Sequence, residues 1–209
     1  MGCAGSKEKR ASAYADFTNI KAAEDDAPAP TNMKNVAASK PGAAAAAASP
    51  IQQLPKPKLD PKDFRFVGFS GEIKIKQPGS INGQSFIIDK CENCDIYLLD
   101  WSSQVTIDEC KKCRIFIGPT DGSVFIRDCH DCSFALVGRQ LRTRGCEDCS
   151  LSVFCRTKPI VETSMNLRIA CFDMSYPQLK DHMQAAKLGP FHNFWYEIFD
   201  FTPKGTAWD

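Results

Sequence analysis

Four Cys-x-x-Cys pairs, Cys91/Cys94, Cys110/Cys113, Cys129/Cys132 and Cys146/Cys149, recur with their first cysteines 19, 19 and 17 residues apart. Each pair has similar surroundings. Apolar residues alternate before it (Phe86 and Ile88; Val105 and Ile107; Val124 and Ile126) and again after it (Ile96 and Leu98; Ile115 and Ile117; Phe134 and Leu136; Leu151 and Val153). Alternation with period 2 marks strands with one buried face. A unit of under about 20 residues is too short for a propeller blade or a helix pair. Stacked coils of strand, turn and strand bury such faces against one another. The expected fold is therefore all-β: a parallel β-helix of about five to six coils, each rising about 4.8 Å.

The repeat extends in both directions. Ser164 and Leu167 occupy the cysteine positions of a further unit, and Ile73, Ile75 and Ile81 suggest an incomplete coil before Cys91. A solenoid needs covered ends. Leu179, Met183 and Ala186 are spaced helically within 176–187, which suggests a small C-terminal helical cap.

Cys-x₂-Cys, fifteen residues, then Cys-x₂-Cys also matches a four-cysteine zinc site. The repeat favours another reading. Cys94 continues the inward phase of Ile96 and Leu98, and Cys91 falls where the phase shifts, as at a bend. The pairs then read as small buried thiols stacked at a coil corner, reduced and without metal. Nothing among the eleven cysteines and their context directs the chain to an oxidising compartment.

Residues 1–58 read differently. The chain opens Met-Gly-Cys-Ala-Gly-Ser, in which Gly2 and Ser6 fit an N-myristoylation pattern and Cys3 lies where a second acyl chain is added. One myristoyl chain binds membranes only marginally, so Cys3 supplies the second signal, helped by Lys7, Lys9 and Arg10. From Ala11 to Lys58 the chain is poor in large apolar residues and rich in Ala and Pro, as in a disordered tether. The expected organisation is an acylated tether over 1–58 and a β-helix domain over 59–209. No run of about 18 apolar residues suggests a membrane-spanning helix. A net charge of +1 gives no reason to expect nucleic acid.

The phase of the repeat also predicts what faces outward. Four residues before each first cysteine stand Ile87, Thr106, Phe125, Arg142 and Ile160; two before stand Asp89, Asp108, Arg127, Arg144 and Glu162. Stacking makes these two adjacent columns, so Arg127, Arg142, Arg144 and Glu162 gather beside Phe125 and Ile160. Inward Leu141 and Thr143 fix Arg142 on a strand. A solvated charged face would look similar. Outward aromatic and aliphatic residues beside rigid arginines favour a protein-binding surface.

Several segments, among them Asp60-Pro-Lys-Asp-Phe64, Gly83-Gln-Ser-Phe86, Asp89-Lys-Cys-Glu-Asn-Cys94, Ile117-Gly-Pro119, Gly122-Ser-Val-Phe125 and Asp200-Phe-Thr-Pro203, resemble the tubulin-cofactor-C domain family. The resemblance runs from Leu59 to Pro203 and implies a right-handed parallel β-helix. It also implies function, because members activate GTPases: tubulin in one branch, an Arf-like small GTPase linked to ciliary trafficking of lipidated proteins in another. By that resemblance Gln140-Leu-Arg142 is the family's Gln-x-Arg signature, with Arg142 a finger donated in trans and Gln140 beside it. Glu162 and Phe201 then lie at the GTPase interface, with Arg144, Arg127 and Phe125 as further partner contacts. Arg144 stands where the tubulin-directed branch usually has His, and Arg139 stands before Gln140 where a second Gln is expected.

The chain ends at Asp209, which leaves out the nucleoside-diphosphate-kinase-like domain of some members. The expected cofactor set is empty, because GTP and magnesium belong to the partner GTPase. The expected location is the cytoplasmic face of the plasma membrane, at or near a cilium. A non-catalytic binding module for an active GTPase or tubulin, and a structural ciliary or cytoskeletal adaptor, are the competing readings. His130, His182 and His192 are the chain's three histidines, and no triad, phosphate loop or metalloprotease motif surrounds them.

Overall fold

The computed structural model describes residues 59–202. Gly2, Cys3, the tether through Lys58 and Pro203 lie outside the described residues. After a 3-10 turn at Pro61–Phe64, the chain runs through β1 (Arg65–Val67), β2 (Ile73–Lys76), β3 (Phe86–Asp89), β4 (Asp95–Leu98), β5 (Val105–Asp108) and β6 (Arg114–Arg127). It continues through β7 (Ser133–Arg144), β8 (Ser150–Cys155), β9 (Ile160–Glu162), β10 (Arg168–Cys171), α1 (Leu179–Ala185) and β11 (Phe199–Asp200).

All strand pairing is parallel and links one coil to the next, as expected of a β-solenoid. One stack runs β1, β3, β5, the second half of β6, the second half of β7, β9 and β11. The other runs β2, β4, the first half of β6, the first half of β7, β8 and β10. Isolated bridges from Ser70 through Glu92, Lys111, His130 and Glu147 to Met165 mark about six turns at the cysteine corner.

Inward columns make the core. Ile88, Ile107 and Ile126 stack in register and are fully buried, as are Ile96 and Ile115. Complete burial of one such side chain stabilises by roughly 1.5–3 kcal/mol. Both cysteines of every pair are buried, and the ten cysteines between Cys91 and Cys171 are free. Their thiols donate to carbonyls of the coil before. Cys113 Sγ reaches Cys91 O at 3.4 Å, Cys132 Sγ reaches Cys110 O at 3.5 Å and Cys149 Sγ reaches Cys129 O at 3.5 Å. Burial pushes the Cys155 and Cys94 thiols up, whereas a hydrogen bond from the neighbouring Cys110 pulls Cys91 down to about 7. Ser164 takes the cysteine place in the next coil, its Oγ accepting from Cys146 N at 3.1 Å.

Each corner is turned by two residues with left-handed backbone that bracket the first cysteine: Lys90 and Asn93, Glu109 and Lys112, Asp128 and Asp131, Gly145 and Asp148, Thr163 and Asn166. Asn and Asp tolerate this conformation best among residues with a Cβ. Lys and Glu do not favour it, so the stack on either side holds them there.

The first coil departs from expectation. Ile81 is buried, but Ile73 and Ile75 face outward with 68% and 42% exposure. Lys74 and Lys76 take the inward places, in register with Ile96 and Leu98. Their ammonium groups lie over aromatic rings, Lys74 at 3.7 Å from the Phe69 centroid and Lys76 at 5.7 Å from that of Phe66. Among the described residues no coil lies below to bury an inward Ile here, so a charge on a long apolar stem covers this end. Inward charge at an edge also blocks pairing with another chain.

The expected helix forms, and it covers a flank of the solenoid. Leu179 and Met183 pack with Trp101 and Phe172 around Val137, Phe154, Ala186 and Leu188. A buried carboxylate ties this side together: Asp100 accepts from the amides of Ile81, Asn82 and Trp101 at 2.7, 2.7 and 2.9 Å. His182 of α1 comes within 3.5 Å of the same carboxylate, and its Nδ1 lies 2.7 Å from the Tyr176 hydroxyl. The far end is closed by the stretch from Asn193 to Asp200. Trp195 packs on the core, Asn193 bonds Cys155 N, and β11 adds to β9.

The coil that ends β6 and becomes β7 is shorter than its predecessor. Its register with β6 slips at two bulges, between Ile117 and Thr120 and between Thr120 and Ser123. Gly118 lies in the first of these. A Cβ there would collide with the carbonyl oxygens of Asp100 and Leu98.

Lys74→Leu combined with Lys76→Leu should expose an apolar, unpaired edge and cause concentration-dependent self-association in light scattering. A double variant that scatters like the unaltered chain across the same concentrations would show that the lysines do not guard this end.

Candidate functional site

The outward columns assemble as the repeat phase predicts. Ile87, Thr106, Phe125, Arg142 and Ile160 stack in consecutive register, and Phe199 of β11 extends the column. The second column runs Asp89, Asp108, Arg127, Arg144 and Glu162. Phe201 donates its amide to Val161 O at 2.7 Å, which carries it alongside this edge. The Phe199 and Phe201 rings meet at 4.5 Å between centroids and are 50% and 58% exposed. Phe199 was not anticipated. The alternation Phe199-Asp200-Phe201 was its only sequence signal.

Arg142 projects from β7 between buried Leu141 and Thr143, as expected, and is exposed together with Arg144 and Glu162. Gln140 lies on the same strand, half-buried, with its Oε1 accepting from Ser123 Oγ at 3.0 Å. That bond fixes the amide's orientation and leaves its NH₂ group pointing elsewhere.

The arginines of this face are not equivalent. Arg127 holds Asp108 through two nitrogens, Nε and Nη2, each at 2.6 Å. The contact raises the Arg127 pKa further and commits its charge to the protein's own surface. Arg139 is likewise taken up by Asp121, binding both its backbone and its side-chain oxygen. Among the described residues, neither Arg142, Arg144 nor Glu162 enters an ion pair. A sequence column that gathers Arg127 with Arg142 misses this difference, because pairing depends on which carboxylate stands one coil earlier.

A second polar feature lies at the cysteine corner, where Lys90, Glu92, Glu109, Lys111, Asp128 and His130 line an open groove of about 510 Å³. Within it Lys90 faces Glu109 at 3.8 Å, and His130 Nδ1 lies 3.3 Å from Glu147 of the next coil. Among the described residues no group of three or more His, Cys, Asp or Glu is arranged to hold a metal ion. No described helix is long and apolar enough to cross a membrane.

Against this geometry, a family model described as Tubulin binding cofactor C matches residues 83–201, which include the whole arginine face from Phe86 to Phe201. The chain belongs to the tubulin binding cofactor C family. Curated relatives called Protein XRP2, the retinitis pigmentosa 2 protein, are similar over most of it. The Homo sapiens protein is 52% identical over 146 residues, covering 70% of this chain and 42% of that protein. The Danio rerio protein is 50% identical over 146 residues, covering 70% and 39%. The Gallus gallus protein is 46% identical over 176 residues, covering 84% and 49%. The chain thus spans less than half the length of these relatives.

One buried group on this face lacks a partner: Thr143 Oγ1, inward between Arg142 and Arg144, makes no hydrogen bond among the described residues. It stands in the column of Ile126 and Val161. Thr143→Val keeps the shape and removes the hydroxyl, so the variant should be more stable by about 1 kcal/mol in urea unfolding. A loss of stability of that size would mean that the hydroxyl is satisfied in solution.

Proposed function

We infer that the chain is a GTPase activator that works in trans. Its arginine face docks on a GTP-loaded small GTPase of the Arf-like kind, and Arg142 enters the partner's nucleotide site as an arginine finger. GTP and magnesium are bound by the partner. The observation that carries the reading is an exposed guanidinium, free of ion pairs among the described residues, on a strand stacked on both sides.

The chemistry fits that placement. In phosphoryl transfer, charge spreads over the equatorial oxygens of the moving group, and a GTPase alone neutralises it incompletely. A guanidinium is permanently charged and planar, with forked donors that match those oxygens. Supplied in trans it accelerates hydrolysis by about 10³–10⁵, or roughly 4–7 kcal/mol of barrier. A strand held in a solenoid keeps such a group within the tight tolerance catalysis needs. Gln140, oriented by Ser123, lies two residues away on the same strand and assists in ordering the site. Glu162, Arg144, Phe125 and Phe201 make the surrounding contact, with Phe201 an exposed aromatic of the kind that anchors interfaces. Arg127, already paired, contributes mainly steering.

The family's name supports tubulin as an alternative GTP-binding partner. Arg144, where the tubulin-directed branch carries His, favours a small GTPase. Gly2 and Cys3 would hold the protein on the cytoplasmic face of a membrane, near the cilium, with 1–58 giving the domain reach.

In single-turnover assays at saturating activator, Arg142→Ala should lower stimulated hydrolysis by about 10²–10⁴ and change affinity for the GTP-loaded partner far less. Arg142→Lys should recover little, because an ammonium loses the fork. Full stimulation by Arg142→Ala would leave a binding module in place of an activator. A panel of GTP-loaded Arf-like proteins and tubulin identifies the partner. Separately, Gly2→Ala should shift the protein from the membrane to the soluble fraction in cells, and continued membrane fractionation would refute the anchor.

A further inference from the structure

Three outward arginines on this solenoid, Arg114, Arg127 and Arg139, each pair with an aspartate one coil earlier. Arg114 stands in register after Asp95, and its Nε and Nη2 both bind that carboxylate. Arg127 repeats the arrangement with Asp108, and Arg139 grips Asp121, eighteen residues back. Arg142 breaks the pattern. Its in-register neighbour one coil earlier is Phe125, and one coil later it is Ile160. Neither side chain accepts a hydrogen bond. Arg144 differs again, because Glu162 stands beside it in register.

The geometry points to Phe125 as a positioning residue that keeps the Arg142 guanidinium out of an intramolecular ion pair and so available to an anionic phosphoryl group on a docked nucleotide. The inference rests on the reading of Arg142 as a finger. Bidentate, charge-assisted bonds between arginine and carboxylate are about twice as strong as neutral hydrogen bonds. A guanidinium held in one must break it, and leave a carboxylate unpaired in a closing interface, before it can reach phosphate. A guanidinium flanked by apolar groups has no such competitor, and its donors are satisfied only by water that docking displaces. Preorganisation of this kind acts on the chemical step, because charge is stabilised without rearrangement at the moment it develops. Phe125 is half-buried against its ladder neighbours and occupies the place where an aspartate would do most harm.

Phe125→Asp installs at Arg142 the relation that Asp108 has to Arg127. In single-turnover hydrolysis at saturating activator, where affinity does not enter, stimulation should fall by about 10²–10⁴, to the level of Arg142→Ala. Phe125→Leu, which stays apolar, and Phe125→Asn, which is polar but uncharged, both lose part of the docking contact and should weaken affinity for the GTP-loaded partner, but at saturating activator each should lose far less stimulation than Phe125→Asp. The second measurement is hydrogen exchange at arginine Nε by nuclear magnetic resonance, without any partner. In the unaltered chain the Arg114 and Arg127 Nε protons should exchange slowly and that of Arg142 quickly; in Phe125→Asp, Arg142 should join the slow group. A slowly exchanging Arg142 proton in the unaltered chain would overturn the inference before any variant is made. So would full stimulation by Phe125→Asp where Arg142→Ala abolishes it, or a loss in Phe125→Leu as deep as in Phe125→Asp. An unaltered rate for Arg142→Ala is a separate failure. It would sink the finger reading, while the exchange measurement still decides whether Phe125 keeps the guanidinium unpaired.

Discussion

In-register parallel stacking is the constraint on which everything else in this domain depends. Each coil satisfies its backbone amides and carbonyls through the coils on either side, so no coil is stable as drawn without a neighbour. The same register lines up Ile88, Ile107 and Ile126 inside and Arg127 with Asp108 outside. Side-chain chemistry on one layer is therefore set by what stands one layer below. The thiols belong to this scheme as well. They fill the inner angle of each corner beside two left-handed residues, and the thiols of Cys113, Cys132 and Cys149 reach carbonyls of the layer beneath.

Much of this was legible in the sequence because period 2 and a spacing of 19 residues are both strong signals. Together they assigned Phe86 and Ile88 inward, Ile87 and Asp89 outward, and placed Arg142 on a strand between Leu141 and Thr143. The same logic marks an extra coil before Cys91 from Ile73, Ile75 and Ile81 but does not say which of its residues point inward. Among the described residues no further layer covers that coil, so Ile73 and Ile75 face outward and the lysine stems cover the aromatic rings instead. Nor did alternation reveal Asp100. A lone aspartate in an apolar stretch shows its role only when the adjacent amides of Ile81 and Asn82, one coil earlier, and that of its own neighbour Trp101 converge on it. The phase shift at the cysteines located the corners, but Lys90, Glu109 and Lys112 carry left-handed backbone against their own preference, so composition did not announce that conformation.

The site was legible as a set of residues and less so as a chemical arrangement. Sequence columns gather Arg127, Arg142 and Arg144 as equals. Register separates them into a paired arginine, an arginine flanked by apolar neighbours, and an arginine beside a glutamate. Arg139, adjacent in sequence to Gln140, is bound to Asp121 and faces a different set of neighbours. A flat, rigid, largely apolar strip ending in Phe199 and Phe201 completes the face. Its stiffness comes from position: β7 is stacked between β6 and both β8 and β9, so its side chains start from a backbone with little freedom to move.

The two bulges in the coil that carries Gln140 and Arg142 have an arithmetic consequence. Each removes one residue from β7 relative to β6, so the coil is shorter by an even number and the alternation re-emerges unchanged at Leu141. A single deletion between the bulges and Cys146 would be odd. It would turn Leu141 and Thr143 to solvent, drive Arg142 into a core of isoleucine and valine, and do the same to every layer that relied on it. Along the strand itself, length can therefore change only in pairs. An odd change has to be taken up in a turn, as the single extra residue between Cys155 and Ile160 is in the next coil.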